Sequence, residues 1–432
     1  MSPLVETAVL VACAAPMLLL LVLGVAALAN RLQERGIGAL TRAGLLVALA
    51  GALTALVTYH VAGQRPQTLR YGAWFAASEA AFSFDLAIDG LSLGFAALSI
   101  LICNVVAAFS FRYLHHEQGF RRYFFQMTLF VVGITFVALA GSVEVLFVGW
   151  EFLGLSSALL VGFFQERRAP VANALRVYAV YRLSDAAMLS AAVLLHHWTG
   201  SGNLTPLFSG GLEHLGPVHA LVVGLLLIVS VASKSALWPF SGWLPRAMEG
   251  PTPSSAVYYG ALSIHAGCFL LLRVQPLLLA STVATVLMVI GGVITAFYGA
   301  LAGRVQTDVK SAISYATLAQ VGIIVVEISC GLRILPMLHI TGHACFRLLQ
   351  FLSAPNVLHD LHDLENRLGA AIHAPERGAA RGRTSLYLFA LERGFADGVL
   401  ERVVGACRYL VGKLDVFDRL LVADRSRKRD RT

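Results

Sequence analysis

Apolar residues along the 432-residue chain gather into long runs centred on 8–29, 43–62, 91–111, 124–141, 143–164, 171–197, 218–237, 254–272, 279–302, 310–330 and 334–353. A helix needs about 20 mostly apolar residues to cross the hydrocarbon core, so each run reads as a span, making about eleven. The first run has no basic region before it and no small-residue cleavage site, so it reads as a span and not as a signal peptide. Past Pro355 the pattern changes. Residues 366–384 (RLGAAIHAPERGAARGRTS) are rich in Gly, Ala and Arg and read as a linker. From 385 to 421 apolar residues return at helical spacing, among them Leu388, Phe395, Val399, Val403 and Leu410, with charged residues on the other faces. Two uses of that amphipathic stretch stand open: lying at the lipid interface, or docking a partner. Residues 424–432 (DRSRKRDRT) are a charged tail with the composition of a disordered segment. The expected fold is an all-α polytopic membrane protein, with a transmembrane domain over 1–365, the linker, and a helical tail over 385–432.

Composition agrees. Apolar residues make up 57% of the chain and charged ones 13%, with mean hydropathy +0.72, which excludes a soluble enzyme. The net charge of +8 is spread over the chain, which argues against a nucleic-acid domain. With the N-terminus outside, the inner loops hold twelve Arg/Lys and the outer loops only Arg65, Arg70, Arg273 and Arg333. That asymmetry predicts a cytoplasmic C-terminus in a multi-pass protein of the cell (inner) membrane. The six cysteines form no CxxC and read as small core residues, so no cofactor or metal is expected in this chain.

The informative residues are ionisable ones at membrane depth, where each is costly unless paired or hydrated. They are Glu151, Arg182, Asp185, Lys234, His265, Glu327, and the series His339, His343 and Arg347 at a spacing of four. Pro239 follows Lys234 closely; it breaks the helix and is expected to free the Ser235 carbonyl beside the ammonium. Broken helices at membrane depth mark ion sites in transporters. Bland readings stand beside these: a structural Lys234–Glu151 ion pair, mutual neutralisation of Arg182 and Asp185, a Glu327 that simply reaches water at the outer boundary, and a satisfied core His265. His359 and His362 lie beyond the last span and read as a solvated face, not a metal site.

The segments GWEFLGLSSALLVGFF, SKSALWPFSGWLPRAMEGPTPSSA and TDVKSAISYATLAQVGII resemble the antiporter-like proton-pumping subunits of respiratory complex I and of Mrp antiporters, over about residues 85–365. The resemblance implies that Glu151 is the pumping glutamate, Lys234 its partner on the broken helix, Asp185 an accessory acid, Lys310 the lysine of the DVK segment, and His339 and His343 relay histidines. His265 and Arg347 join this ion-translocation set. No residue is expected to be catalytic. Departures matter too. Tyr259 stands where complex I relatives place a histidine, and Arg347 where they place a lysine. The second broken helix and the lateral helix are not found after span eleven, so the second repeat reads as truncated.

GHACFRLLQFLSAPNVLHDLHDLENRLG and SLYLFALERGFADGVLERVV resemble the DabB membrane subunits of inorganic-carbon accumulation complexes. That resemblance implies a cytoplasmic DabA-type partner, a zinc protein resembling β-carbonic anhydrase. It further implies that an H⁺ or Na⁺ gradient energises one-way CO2 hydration to bicarbonate. The zinc would belong to the partner. The competing expectations are a pumping or antiporting subunit of a complex I or Mrp-type assembly, and a scaffold that only docks the zinc protein.

Overall fold

The computed structural model describes residues 2–29, 32–77, 80–205, 215–306, 308–368, 387–391, 402 and 409. Its contacts divide the chain into two compact units, 1–376 and 377–432. The first unit is a helical bundle built from α1 (Pro3–Leu28), α2 (Glu34–Val61), α3 (Gly90–Tyr113), α4 (Phe120–Leu139), α5 (Val143–Val161), α6 (Arg168–Thr199), α7 (Pro217–Lys234), α8 (Thr252–Arg273), α9 (Gln275–Leu279), α10 (Thr282–Gly303), α11 (Val309–Ser329) and α12 (Ile334–Leu368). Among the described residues, ten of these are long and apolar enough to cross a membrane: α1 to α8, α10 and α11. The run at 334–353 forms the first part of α12, which is not among the ten because His339, His343, Arg347 and Gln350 dilute its apolar character. That helix continues to Leu368, three residues into the stretch read as a linker. In the second unit, 387–391, Arg402 and Tyr409 are helical; the rest of the amphipathic stretch lies outside the described residues.

Several helices start where a side chain satisfies their free N–H groups. Asp89 accepts from Ser92 N at the head of α3, and Asp308 does the same for Ser311 N at the head of α11, each at 2.8 Å. One element had no sequence expectation. Between α2 and α3, strands β1 (Gln67–Ala77) and β2 (Ala80–Ile88) form an antiparallel hairpin whose second strand packs on the start of α5, Ser142 donating to Ser83 O at 2.8 Å.

Water drives no burial between helices inside lipid, so close backbone approach matters. A Cβ on Gly322 of α11 would lie 2.5 Å from Ala296 N and Gly292 O of α10, so the two helices touch backbone to backbone. At the centre stands α8, every residue of its spanning window buried. Its stretch Ala256–Ala261 is π-helical, closed by Leu262 N to Val257 O at 2.7 Å. Such bulges concentrate at functional sites, and this one sits between the two ionisable clusters of the bundle.

The cysteines depart from expectation. Cys13, Cys103 and Cys268 are buried, but Cys330 and Cys345 are exposed on the bundle. Cys330 caps the C-terminal end of α11 and Cys345 lies on an exposed face of α12, positions that apolar patterning alone cannot reveal.

Candidate ion-translocation site

Lys234 ends α7 and is fully buried. The helix stops there because the chain turns, with Ala236 at φ +57° and Pro239 three residues on. The break is braced on three sides. Trp243 donates its indole N–H to Ser233 O at 3.0 Å, Ser235 Oγ donates to Ile264 O of α8 at 2.8 Å, and Trp238 N donates to Thr295 Oγ1 of α10 at 3.0 Å. The carbonyl that meets the ammonium is not the expected one of Ser235. Lys234 Nζ donates to Trp150 O of α5 at 2.5 Å and stands 4.4 Å from the centre of the Trp150 ring.

The acidic partner also differs from expectation. Lys234 Nζ lies 3.5 Å from Asp185 Oδ1, while Glu151 is paired with Arg182 at 2.8 Å. Arg182 reaches Asp185 as well, at 2.6 Å. The order is therefore Glu151–Arg182–Asp185–Lys234, alternating in sign. Arg182 bridges the two acids, because residues three apart on a helix share a face and its guanidinium reaches both Asp185 on its own helix and Glu151 on α5. Trp150 Nε1 donates to Ser184 Oγ at 3.0 Å, and Ser184 Oγ to Ser230 O at 2.7 Å, so α5, α6 and α7 are tied beside the charges.

The second cluster is held by α8, α11 and α12. His265, fully buried, meets His343 with Nε2 to Nδ1 at 2.9 Å. Arg347 Nε donates to His343 Nε2 at 2.9 Å. A guanidinium only donates, so that nitrogen accepts, and the His343 proton sits on Nδ1 and points at His265. His339 has partners on both sides, Glu327 Oε1 at 2.8 Å from Nδ1 and Gln320 Oε1 at 3.2 Å from Nε2. Glu327 is thus engaged by His339 and is not merely reaching water.

Between the clusters stand Tyr181, Trp243 and Tyr259, in edge contact in that order, with ring centres 5.1 and 5.6 Å apart. The Tyr181 ring is 5.4 Å from Lys234 Nζ, and its hydroxyl lies toward Ser263, two residues before His265. Among the described residues, buried Tyr181 Oη, Tyr258 Oη, Ser255 Oγ and Ser263 Oγ make no hydrogen bond of normal geometry. Leaving such a hydroxyl unpaired costs about 1–3 kcal/mol, so this interval is where ordered water is favoured.

Of the expected site residues, the structure brings together Glu151, Asp185 and Lys234 in one cluster and His265, His339, His343 and Arg347 in the other. Lys310 joins neither: its Nζ lies 3.4 Å from Gly250 O, beside Glu249 and Asp308 at the end of the bundle read as inner. His359 and His362 have side chains outside the described residues. Sequence reading missed the role of Arg182 as a bridge, Gln320, and the pair Glu144–His196; the signal for that pair is a glutamate two turns before Glu151 on the same helix.

Residues 140–369 match the family described as NADH:quinone oxidoreductase/Mrp antiporter, transmembrane, and 74–124 match the N-terminus of complex I chain 5. NADH-ubiquinone oxidoreductase chain 5 of Schizophyllum commune is 31% identical over 308 residues, covering 71% of this chain and 45% of the relative. NADH-quinone oxidoreductase subunit L of Escherichia coli (strain K12) is 28% identical over 333 residues, covering 77% of this chain and 54% of the relative. The chain thus spans about half the length of the curated relatives it matches. A chain of the Mrp complex from Dietzia sp. DQ12-45-1b superposes with a TM-score of 0.67 at 27% identity, over 85% of this chain and 38% of the other. With more than half its length matched, the chain belongs to the family of membrane subunits shared by NADH:quinone oxidoreductase and Mrp antiporters.

Proposed function

We propose that this subunit conducts a cation, H⁺ or Na⁺, through the Lys234 and His343 clusters. A further part of the proposal is that the descent of that ion drives inorganic-carbon uptake by a zinc-bearing, β-carbonic-anhydrase-like partner on the cytoplasmic side of the cell membrane. The observation that carries the first part is Lys234: a fully buried ammonium, held by one carboxylate and one carbonyl, at a helix break. A buried ion pair is a poor device for stability alone, whereas a lysine in such a place changes protonation when its carboxylate does. What supports the second part is the resemblance of residues 342–369 and 385–404 to carbon-accumulation subunits, and the paired departures at Tyr259 and Arg347. Arg347 stays charged at any ordinary pH, so this end of the row orients His343 and does not itself carry a proton. The similarity to chain 5, subunit L and the Mrp complex fits the other reading as well, a pumping or antiporting subunit of such an assembly.

Uptake of labelled inorganic carbon, in cells making the chain together with the zinc-bearing protein that co-purifies with it, tests the proposal. Uncoupler-sensitive uptake that Glu151→Gln abolishes at unchanged membrane levels is the expected result. Co-purification with quinone-reductase or antiporter subunits, and no carbon uptake, would establish the other reading.

A further inference from the structure

Two turns of α5 before Glu151, about 10 Å along the helix, stands a second acid of that helix, Glu144. Its Oε1 meets Nε2 of His196, near the end of α6, at 2.7 Å, and both side chains are nearly buried, 12% and 13% exposed. His196 is eleven residues from Asp185, three turns, so it lies on nearly the same face of α6. The α5/α6 contact thus carries the Glu151–Arg182–Asp185 row at one level and Glu144–His196 nearer the end read as outer. Glu144 Oε2 and His196 Nδ1 are each buried without a hydrogen bond among the described residues. One titratable atom on either partner is therefore open to a further exchange. The local fold makes room for the pair: a Cβ on Gly202 would lie 2.5 and 2.7 Å from the two Glu144 oxygens and 2.6 Å from His196 Nε2. The hairpin closes the site, with the Phe82 ring 5.3 Å from that of His196. The other titratable or charged groups near this end of the packed elements are Asp85 of β2, opposite Arg70 on β1, His197 on α6, and His219 of α7, whose ring stacks on Trp198 at 4.1 Å.

We infer that Glu144 and His196 form a proton-exchange station between the outer aqueous side and the Glu151 row. The inference rests on the translocation reading above and narrows its ion to H⁺ at this end. A carboxylate hydrogen-bonded to an imidazole accepts and releases a proton, and histidine changes charge in the physiological range. Na⁺, a hard cation, calls for several oxygen ligands, and the site offers one carboxylate beside a nitrogen. Nor is it a transition-metal site by composition: the grouping of three metal-capable side chains among the described residues is Glu34, His115 and His116, elsewhere and more exposed. The proton passes from water to His196 Nδ1 or Glu144 Oε2, moves within the pair, and leaves toward Glu151. The two turns between, flanked by Phe147, Val148, Met188 and Ala192, hold no titratable group, so that leg runs over water.

The test is proton flux into liposomes carrying the full-length chain, with whatever partner co-purifies, at outer pH 5.5 to 8.5. Glu144→Gln and His196→Asn are expected to lower flux on the order of a hundredfold in folded protein, and to flatten its dependence on outer pH. Glu144→Asp is the second variant: it keeps the acid but retracts it from His196, and flux should fall while the thermal melt is kept. If Glu151→Gln loses flux while all three variants conduct like wild type with the same outer-pH dependence, the pair is a structural clasp and this inference falls alone. If Glu151→Gln conducts like wild type, the translocation reading falls and takes this inference with it.

Discussion

The Lys234 and His343 clusters both place charge inside a bundle that has little room for it, and they are built in different ways. Around Lys234, two acids and two bases alternate, Glu151–Arg182–Asp185–Lys234, so the row is neutral as a whole and any one proton transfer leaves two unlike charges facing each other. Around His343 the groups are imidazoles, with Glu327 at one end and Arg347 at the other. There the fixed guanidinium occupies one nitrogen of His343 and directs its proton to His265. The comparison teaches that, under the proposed translocation, the first cluster is the one to change charge state and the second the one to set proton direction.

Removing the ammonium should break the comparison most severely. Lys234→Ala is expected to reduce ion flux by about 100-fold or more, the scale of losing a positioned proton-transfer group, read in reconstituted liposomes. Asp185→Asn should come next, and it sharpens the pairing question. It strips the buried ammonium of its carboxylate, a change worth about 3–5 kcal/mol in buried pairs, whereas Glu151→Gln leaves Arg182 still paired with Asp185. Thermal unfolding in detergent should therefore fall further for Asp185→Asn than for Glu151→Gln; the reverse order would restore Glu151 as the direct partner of Lys234. A smaller effect is expected at the second cluster. Arg347→Lys can still donate to His343 but loses the planar fork that also holds Gln350 at 2.5 Å, so flux should drop a few-fold and not vanish.

The smallest effect concerns a clasp at the span ends, where Asp89, just ahead of α3, meets Arg273, the last residue of α8. Burial alone would raise the Asp89 carboxyl, but the neighbouring Arg273 guanidinium and the bonds from Ser92 outweigh it and hold it below the usual carboxylate range. A lowered folded value contributes stability above the unfolded value near 3.8 and loses it only as pH falls through the folded one. Melting of the wild type should consequently show no pH dependence from this clasp between pH 5 and 8, where its contribution is fully present, while Asp89→Asn lowers the melting temperature across that whole window.

Much of the bundle was legible because lipid enforces one pattern: a span must be apolar for about 20 residues, and any charge within it stands out. That is why Glu151, Asp185, Lys234, His265 and His343 could be named from the sequence. Which of them touch was not legible. Arg182 stands between Glu151 and Lys234 because of how α5, α6 and α7 rotate against each other, and rotation leaves no mark in hydropathy. The Trp150 carbonyl was invisible for a plainer reason: every residue has one, and only packing selects which meets an ammonium. The hairpin was missed because its residues fall in a connection between spans, where a membrane-scale window sees only a gap.

Lys234→Arg tests the central claim most directly, since it keeps the charge and takes away the ability to shed it. Flux of H⁺ and of Na⁺ is to be measured in liposomes carrying the wild type or this variant at equal folded amounts. The account predicts that wild type conducts and that Lys234→Arg loses about 100-fold or more of that flux with its fold intact. Wild-type flux through the arginine variant would show that Lys234 serves only as a fixed charge, and would contradict the account.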